Sequence, residues 1–262
     1  MDVTLTGKRA IVCGSTQGIG KATALELASL GATVTLVARN EQSLQYVKTE
    51  LSTSAGQNHG TIAVDFTEPE VVRKSVSSYV GKSGPIHILV NNSGGPKGGL
   101  IVDAEVQEFV NTFSQHLLCN HILAQAVIPG MKAAKYGRIV NIISTSVKQP
   151  IAGLGVSNTV RAAVASWSKT LAGEVAQFGI TVNNILPGMT KTERLDYVIR
   201  TKAERSGKSI EEITREMIAE IPAGRYAGPP EVATVIAFLC SPAASYVNGV
   251  SLPVDGGRTT SL

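Results

Sequence analysis

Between Val12 and Ala32 the chain reads VCGSTQGIGKATALELASLGA. An apolar run ends at Gly14, two further glycines follow at Gly18 and Gly20, and a helical pattern begins among them. Glycines in such a turn let the chain reverse tightly and let backbone N–H groups approach a pyrophosphate, while the start of the helix favours negative charge. The stretch therefore predicts a dinucleotide site in the first strand–turn–helix unit of an α/β fold.

The rest of the chain continues this alternation. Short apolar runs predict seven strands, at Arg9–Gly14, Thr33–Ala38, Thr61–Asp65, His87–Asn92, Arg138–Ile143, Thr181–Pro187 and Gly249–Asp255. Helical patterns lie between them, at Gly18–Leu30, Glu41–Leu51, Glu68–Val80, Ala104–Lys135, Val156–Phe178 and Pro230–Leu239. Most strands are too continuously apolar to have a face in water. We therefore predict one α/β domain over residues 1–262, a Rossmann-type doubly wound sheet of seven parallel strands with helices on both faces.

Residues 190–222 interrupt the alternation with a charged stretch that predicts two short helices. A long insertion after the carboxyl end of a strand is typical of a lid over a substrate site. A solvated excursion without a role in binding is the alternative.

Composition and charge narrow the class of protein. The chain has 43% hydrophobic and 17% charged residues, a net charge of +4 and a pI near 9.0. The basic residues are dispersed, which argues against nucleic-acid binding and suits an anionic small ligand. Neither a signal-peptide pattern nor a membrane-length apolar run is present. Three scattered cysteines, Cys13, Cys119 and Cys240, indicate reduced core thiols, so we expect a cytoplasmic protein.

The end of the second strand indicates which dinucleotide would bind. An acidic residue at this point bonds the ribose 2′-hydroxyl of NAD, whereas a cation accommodates the 2′-phosphate of NADP. Here Ala38 takes the place of the acid and Arg39 follows it. We expect NADP(H) rather than NAD(H); a plain surface arginine is the alternative.

The spacing GxxxGxG resembles that of the short-chain dehydrogenase/reductase family, and four further segments carry the resemblance. LVNNSGG (Leu89–Gly95) resembles the family's NNAG segment, and VNIIS (Val140–Ser144) resembles the strand that ends in its catalytic serine. ILPGMTKTE (Ile185–Glu193) and SPAASYVNGVSLPVDGG (Ser241–Gly257) resemble the nicotinamide-lining segment and the last strand. Within the family, the chain is most similar to 3-oxoacyl-[acyl-carrier-protein] reductases.

The resemblance implies a small-molecule carbonyl or acyl substrate, no metal, and a homotetramer or homodimer built on the long helices. Asp65 would meet the adenine, and Asn92 would lie beneath the nicotinamide ribose. The implied cofactor-binding residues are Gly14, Ser15, Thr16, Gln17, Gly18, Ile19, Gly20, Arg39, Asp65, Phe66, Asn92, Ser93, Gly94, Arg161, Pro187, Gly188, Thr190 and Thr192.

The catalytic positions depart from the family pattern. The family uses Asn, Ser, Tyr and Lys, with the last two spaced as YxxxK. Ser144 matches the serine, but Ser157 stands at the tyrosine position, Arg161 at the lysine position and His116 at the asparagine position. An atypical catalytic set of Ser144, Ser157, Arg161 and His116 follows from this match.

These replacements have unequal consequences. Arg161 keeps the charge and can still hold a ribose hydroxyl through its rigid fork. Ser157 is shorter and far less acidic than a phenol, and loss of a positioned general acid costs roughly 10²–10⁴-fold in rate. His116 could carry the proton because imidazole titrates near neutrality, or it could be a helix residue bonded to a neighbour.

Other polar residues should border the same cleft. Lys97 and Lys148 are expected to be solvated or to steer anions rather than to catalyse, and Tyr197 could substitute for the missing phenol or pack within the lid. The lid also carries cations that could attract an anionic acyl substrate, although acids nearly balance them: Arg194, Arg200, Lys202 and Arg205 against Glu204, Glu211 and Glu212.

Three hypotheses on function remain open from the sequence. The first is an NADP(H)-dependent oxidoreductase on a carbonyl/hydroxyl pair, with unusual proton transfer. The second is a catalytically inactive protein that binds NADP(H) or a metabolite as a regulator or scaffold. The third is a cofactor-free enzyme similar to the family's dehalogenating members, which use arginine but retain the tyrosine and fill the pocket that Gly14–Gly20 leaves open here.

Overall fold

A computed structural model describes residues 1–261; the last residue of the predicted domain, Leu262, lies outside them. All strands pair in parallel in a single sheet of order β3-β2-β1-β4-β5-β6-β7. They are β1 Arg9–Cys13, β2 Thr33–Ala38, β3 Gly60–Ala63, β4 Ile88–Asn91, β5 Gly137–Ile142, β6 Ile180–Pro187 and β7 Ser251–Val254. The seven predicted strands are thus confirmed, with ends that differ by at most two residues. The strand order reverses between β1 and β4, where ligands of such sheets bind.

Both faces of the sheet are covered, which explains the continuously apolar strands. In β1, Val12 packs into a cluster with Leu27 and Ile236, whereas its neighbour Ile11 packs on the opposite face with Leu123. The helices are α1 Gly18–Ser29, α2 Glu41–Glu50, α3 Pro69–Ser83, α4 Val106–Phe113, α5 Cys119–Ala134, α6 Gly155–Val175, α7 Glu193–Ser206, α8 Ile210–Ala219 and α9 Pro229–Cys240. Clusters of α1, α2 and α9 lie on one face, and those of α3, α5 and α6 on the other.

The predicted helix Ala104–Lys135 is present as one helical stretch from Val106 to Ala134, but part of it is π-helical. A 3₁₀ turn at Ile101–Asp103 precedes α4, which begins at a capping box between Glu105 and Glu108. Five residues of π-helix, Ser114–Leu118, then separate α4 from α5. Hydrophobic periodicity cannot show such a segment, since a π turn changes the helical phase by only one residue.

The two helices predicted between residues 190 and 222 are α7 and α8. Thr192 accepts a hydrogen bond from the Leu195 N–H at the start of α7, and Ser209 forms a capping box with Glu212 at the start of α8. The pair has an apolar cluster of its own, made by Leu195, Ile199, Ala203, Ile213, Met217, Ile221 and Tyr226. The insertion is therefore a packed pair of helices.

A ladder of side chains crosses the sheet beneath the site. Asn91 donates to Asn141 at 2.8 Å, and Asn141 donates to Asn184 at 3.0 Å and to Ser168 at 3.2 Å. Asn184 in turn donates to Ser251 at 3.1 Å. Asn91, Asn141, Asn184 and Ser251 are direct register partners on β4, β5, β6 and β7, and Ser168 joins them from α6. The ladder ties together the strands whose ends carry the site.

Candidate active site

The glycine turn after β1 is open to a ligand. Gly14 and Gly18 have φ of 57° and 55°, a region that L side chains rarely adopt. A Cβ on Gly20 would lie 2.1 Å from the Gly14 carbonyl oxygen, so α1 approaches β1 as only glycine allows. The N-cap residue Gln17 makes no side-chain cap, and the first turn of α1 holds no acid. The free N–H groups and helix dipole fit a pyrophosphate.

Ser15 and Ile19 in this turn make contacts within the protein. Ser15 is buried, and its Oγ accepts the Val37 N–H at 3.0 Å, which holds the turn against β2. Ile19 packs against the core, Thr16 is half-buried and Gln17 is exposed. The ligand-facing groups of this predicted segment are thus mainly backbone amides.

The far end of the crevice carries an unpaired cation. Arg39 is exposed directly after β2, and it forms no ion pair with any carboxylate in residues 1–261. Asp65 follows β3 at the same edge and accepts the Thr67 N–H at 2.9 Å, while the Phe66 carbonyl accepts a hydrogen bond from Cys119. A free guanidinium and no acid at Ala38 fit a 2′-phosphate better than a 2′-hydroxyl.

Two other segments close on the glycine turn. Asn92 donates to the Gly14 carbonyl at 3.2 Å, and Thr192 comes within 3.1 Å of the position of a Cβ on Gly18. The predicted segment after β6 is held by its own bonds, Thr192 to the Thr190 carbonyl and Thr190 to the Gly188 carbonyl, each at 3.2 Å. Glycine is required at position 188, because a Cβ there would lie 2.6 Å from Asp255 Cα. Pro187, the last residue of β6, precedes this turn.

His116 sits in the π segment and faces the end of β4. Its Nδ1 lies 2.6 Å from Ser93 Oγ, and its buried Nε2 has no hydrogen-bond partner in residues 1–261. Burial first and the Arg161 charge second hold the pKa of His116 well below its usual value, with the Gly94 carbonyl opposing them. The imidazole is therefore uncharged at neutral pH, which differs from the expectation that it titrates there.

Arg161 is a buried cation without a counter-ion. Its side chain is 9% exposed, and Nη1 donates to the Ile142 carbonyl at 2.9 Å. It forms no ion pair within the described residues. Burial and, next, the charge of Arg194 lower the pKa of Arg161 to about 10. It stays charged at neutral pH and gives the cleft a fixed positive charge.

The two predicted catalytic serines differ in their surroundings. Ser144 Oγ accepts the Ser146 N–H at 3.1 Å and caps the 3₁₀ turn Thr145–Val147, so its own proton is left to donate. Ser157 is half-buried, one helical turn before Arg161 on the same face of α6, and its hydroxyl bonds no group in residues 1–261.

Helix α7 contacts the loop after β4 through Arg194. Its Nη2 donates to the Pro96 carbonyl at 2.7 Å, and its guanidinium lies 5.4 Å from the Tyr197 ring centroid. Tyr197 is 43% exposed and contacts this arginine rather than the serines. Lys97 is exposed on the same loop as Pro96, and Lys148 follows the 3₁₀ turn after Ser144.

The Ser93–His116 bond and the Arg194–Pro96 bond were not foreseen from the sequence. A signal for the first exists, since Ser93 replaces the alanine of the family's NNAG segment just as His116 replaces its asparagine. Paired departures at two positions that face each other indicate contact. The second bond joins residues 98 positions apart and has no local signal.

In residues 1–261, no group of three or more His, Cys, Asp or Glu side chains is placed to hold a metal ion. No helix in this part of the chain has both the length and the apolar character needed to cross a membrane.

Comparison with known proteins agrees with the site. The family model described as enoyl-(acyl carrier protein) reductase matches residues 14–259. A 3-oxoacyl-[acyl-carrier-protein] reductase of Vibrio cholerae is 34% identical over 255 residues, which cover 97% of this chain and 98% of that protein.

Solved structures with the same fold bind NADPH. L-sorbose reductase from Gluconobacter frateurii, complexed with NADPH and L-sorbose, superposes with a TM-score of 0.93 at 33% identity and full coverage of both chains. YwfH, an NADPH-dependent reductase involved in bacilysin biosynthesis, gives a TM-score of 0.92 at 26% identity over 97% of this chain and 99% of its own. The chain belongs to the short-chain dehydrogenase/reductase family, as an oxidoreductase similar to the 3-oxoacyl-[acyl-carrier-protein] reductases.

Proposed function

We propose that this protein is an NADP(H)-dependent oxidoreductase that interconverts a carbonyl and a hydroxyl group on a small-molecule or acyl substrate. The observation that carries the proposal is Arg39, an exposed guanidinium without an ion pair in residues 1–261, at the end of β2 where Ala38 replaces an acid. The open glycine turn beside it supports the same conclusion, as do the NADPH-binding neighbours.

The predicted contacts divide the cofactor among these elements. Arg39 holds the 2′-phosphate, the amides of Gly14–Gly20 hold the pyrophosphate, and Asp65 with Phe66 borders the adenine. The nicotinamide half is held by Arg161, by Asn92, Ser93 and Gly94, and by Pro187, Gly188, Thr190 and Thr192. When bound, NADPH supplies a hydride.

The chain's own groups act on the substrate oxygen. Ser144 donates its hydroxyl proton in a hydrogen bond, since Oγ already accepts the Ser146 N–H and its own proton is left to donate. Arg161 stabilises negative charge there because it remains cationic inside the protein, where electrostatic interactions are stronger than in water.

Proton delivery is the unusual part of the proposal. Ser157 is too short and too weakly acidic to replace a phenol, so it leaves room for water. The final proton then comes from solvent, through a water that Ser157 positions. His116 is neutral and, paired with Ser93, supports the proton path through its ring nitrogens rather than as a charged acid.

An alternative is a catalytically inactive protein that binds NADP(H) or a metabolite in a regulatory or scaffold role. The observation that favours it is the isolated Ser157 hydroxyl, because a missing general acid costs roughly 10²–10⁴-fold in rate. A turnover assay distinguishes the two functions, whereas NADP(H) binding is compatible with both.

We further propose that residues 190–222 form the substrate lid and that the protein is a cytoplasmic homotetramer or homodimer. An exposed apolar stripe on α4, made by Val106, Val110 and Phe113, supports self-association, since α4 packs beside α6. The three buried free cysteines support a reducing compartment.

The first test is titration with NADPH and NADH, followed by nucleotide fluorescence, of the wild type and Arg39→Asp. We expect NADPH to bind tightly and to lose about 100-fold in affinity in the variant, because a charge-assisted contact becomes a repulsion. Arg200→Asp, at an exposed lid residue, makes the same charge change elsewhere and should leave binding intact. Failure of both nucleotides to bind would reject the oxidoreductase and the NADP(H)-binding alternative together.

The second test is turnover on a panel of ketones, aldehydes and 3-oxoacyl thioesters, with the Ser157→Tyr/Arg161→Lys double variant in parallel. Measurable oxidation of NADPH by the wild type supports the enzyme. NADPH binding without turnover on any substrate, together with turnover in the double variant, would assign the binding role instead.

A further inference from the structure

Two guanidinium groups meet beside Gly95, at the mouth of the cleft. A Cβ built on Gly95 would lie 3.6 Å from Arg194 Nη2 and 3.8 Å from Arg161 Nη2. One arginine comes from α6 and the other from the lid helix α7. Because Gly95 has no side chain, the space between the two forks is left free.

Neither arginine has an acidic partner. Both lack an ion pair with any carboxylate in residues 1–261, and the acids in the first turn of α7, Glu193 and Asp196, form none with them. Arg194 also lies in the first turn of that helix, where the dipole disfavours a cation. Two approaching cations, one of them buried, are costly unless an anion lies between them.

The site is also supplied with unused hydrogen-bonding groups. The Arg161 guanidinium has five N–H donors, and only its Nη1 bonds within the described residues, to Ile142. The buried Nε2 of His116 is without a partner, and its ring is close enough to Arg161 to feel that charge. The pKa of Arg161 is lowered in part by Arg194, which agrees with two cations facing one space.

We propose that Arg161 and Arg194 bind a carboxylate of the substrate beside Gly95, an inference that rests on the proposed oxidoreductase function. Two planar forks match a carboxylate, which can accept paired hydrogen bonds from each. Arg161 is anchored at Ile142, two residues before Ser144, so the carboxylate lies near the reacting carbon. The substrate class is then a short oxo acid or the corresponding hydroxy acid.

The test measures binding in calorimetry, with NADP⁺ present so that no hydride is available. The probes are 2-oxohexanoate, 4-oxohexanoate and 5-oxohexanoate, each compared with its own methyl ester, and inorganic phosphate. We expect at least one acid to bind about 10-fold or more tightly than its ester, the scale of a charge-assisted hydrogen bond. Equal affinity for every acid and ester, or no binding of any acid, would overturn the proposal, and a preference for phosphate would overturn the carboxylate assignment.

Matched variants distinguish recognition of charge by Arg194 from a purely structural role, in which Arg194 only holds the loop through the Pro96 carbonyl. In Arg194→Gln the preference for acid over ester should fall to about 2-fold or less, and Arg194→Lys should keep part of it. Arg215→Gln, which removes the same charge from an exposed position on α8, should keep all of it. Gly95→Asp, which places an internal carboxylate between the forks, should abolish acid binding. If Arg194→Gln weakens the binding of acid and ester equally, Arg194 only holds the loop at Pro96, and the proposal is wrong.

The two proposals can fail separately. The same acid and ester series is repeated without NADP⁺, with the shift in Tm as the measurement. Acid-selective stabilisation in a protein that binds no nucleotide would retain the carboxylate site and reject the oxidoreductase. Nucleotide binding with no preference for acids over esters would reject the carboxylate site and retain the oxidoreductase.

Discussion

The glycine turn after β1 and the cleft around α6 are two ends of one crevice, built in opposite ways. In the turn, function depends on side chains that are missing: a Cβ at Gly20 would strike the Gly14 carbonyl. In the cleft, the proposed function depends on buried polar side chains: Arg161 has no ion pair, and His116 Nε2 has no hydrogen-bond partner, among residues 1–261. Backbone packing fixes the glycine turn, whereas the polar groups buried in the cleft lower the free energy of unfolding.

The largest effect is expected from a substitution in the glycine turn after β1. Gly20→Ala should destabilise the protein by about 3 kcal/mol or more and abolish NADPH binding, because α1 must move away from β1. Thermal unfolding and nucleotide titration measure both. The matched control is Gly81→Ala in α3, where a Cβ meets no atom within 4 Å and should add up to about 1 kcal/mol. A Gly20→Ala protein as stable as the wild type would contradict this account of the turn.

The next effect concerns the floor of the cleft. Asn141→Leu should cost about 2–3 kcal/mol, since it leaves Asn91 and Asn184 with unpaired buried groups. Urea denaturation measures the loss. Asn111→Leu, at a residue whose amide contact with Gln107 is exposed, should change stability by less than about 0.5 kcal/mol. A cost no larger than that of the exposed control would show that the ladder contributes nothing.

A third substitution should have the opposite sign, which sharpens the contrast. Arg161→Met removes a buried unpaired charge and its repulsion with Arg194, at the loss of one bond to Ile142. We expect the free protein to gain about 1 kcal/mol while turnover is lost. Urea denaturation without ligand, beside the turnover assay, measures the two effects. A less stable variant would mean that Arg161 also supports the fold.

The smallest effect is a dependence of stability on pH. Because the pKa of His116 is lowered in the folded chain, the unfolded chain binds the extra proton first as pH falls below about 6.5. Folding stability then falls with pH by up to about 1.4 kcal/mol per unit from this group. Urea denaturation at pH 7.5 and 5.5 should show a loss larger by about 1 kcal/mol in the wild type than in His116→Asn. Equal losses would mean that His116 titrates normally.

Sequence reasoning succeeded where the signal is periodic or local. Continuous apolar runs predicted all seven strands, and a charged interruption predicted the two helices α7 and α8. It could not foresee where Ser93 meets His116 or where Arg194 meets Pro96, because those contacts depend on how distant segments pack. It could not foresee that Ser15 Oγ accepts the Val37 N–H, because only packing decides which group a turn serine bonds; its predicted cofactor contact remains a prediction. The roles of Ser157 and Arg161 remain predictions.

The π segment Ser114–Leu118 has a consequence for the evolution of the helix that contains it. A π turn is an α-helix with one residue inserted, and in an α-helix one residue corresponds to about 100° of rotation. The insertion thus sets the angle between the outward apolar stripe of α4 and the inward face that carries His116. A single-residue deletion at Gln115 would rotate the apolar stripe of α4 relative to the face that carries His116. The proposed subunit association and the proposed proton path therefore depend on the same five residues, and a change in the length of this segment would alter both.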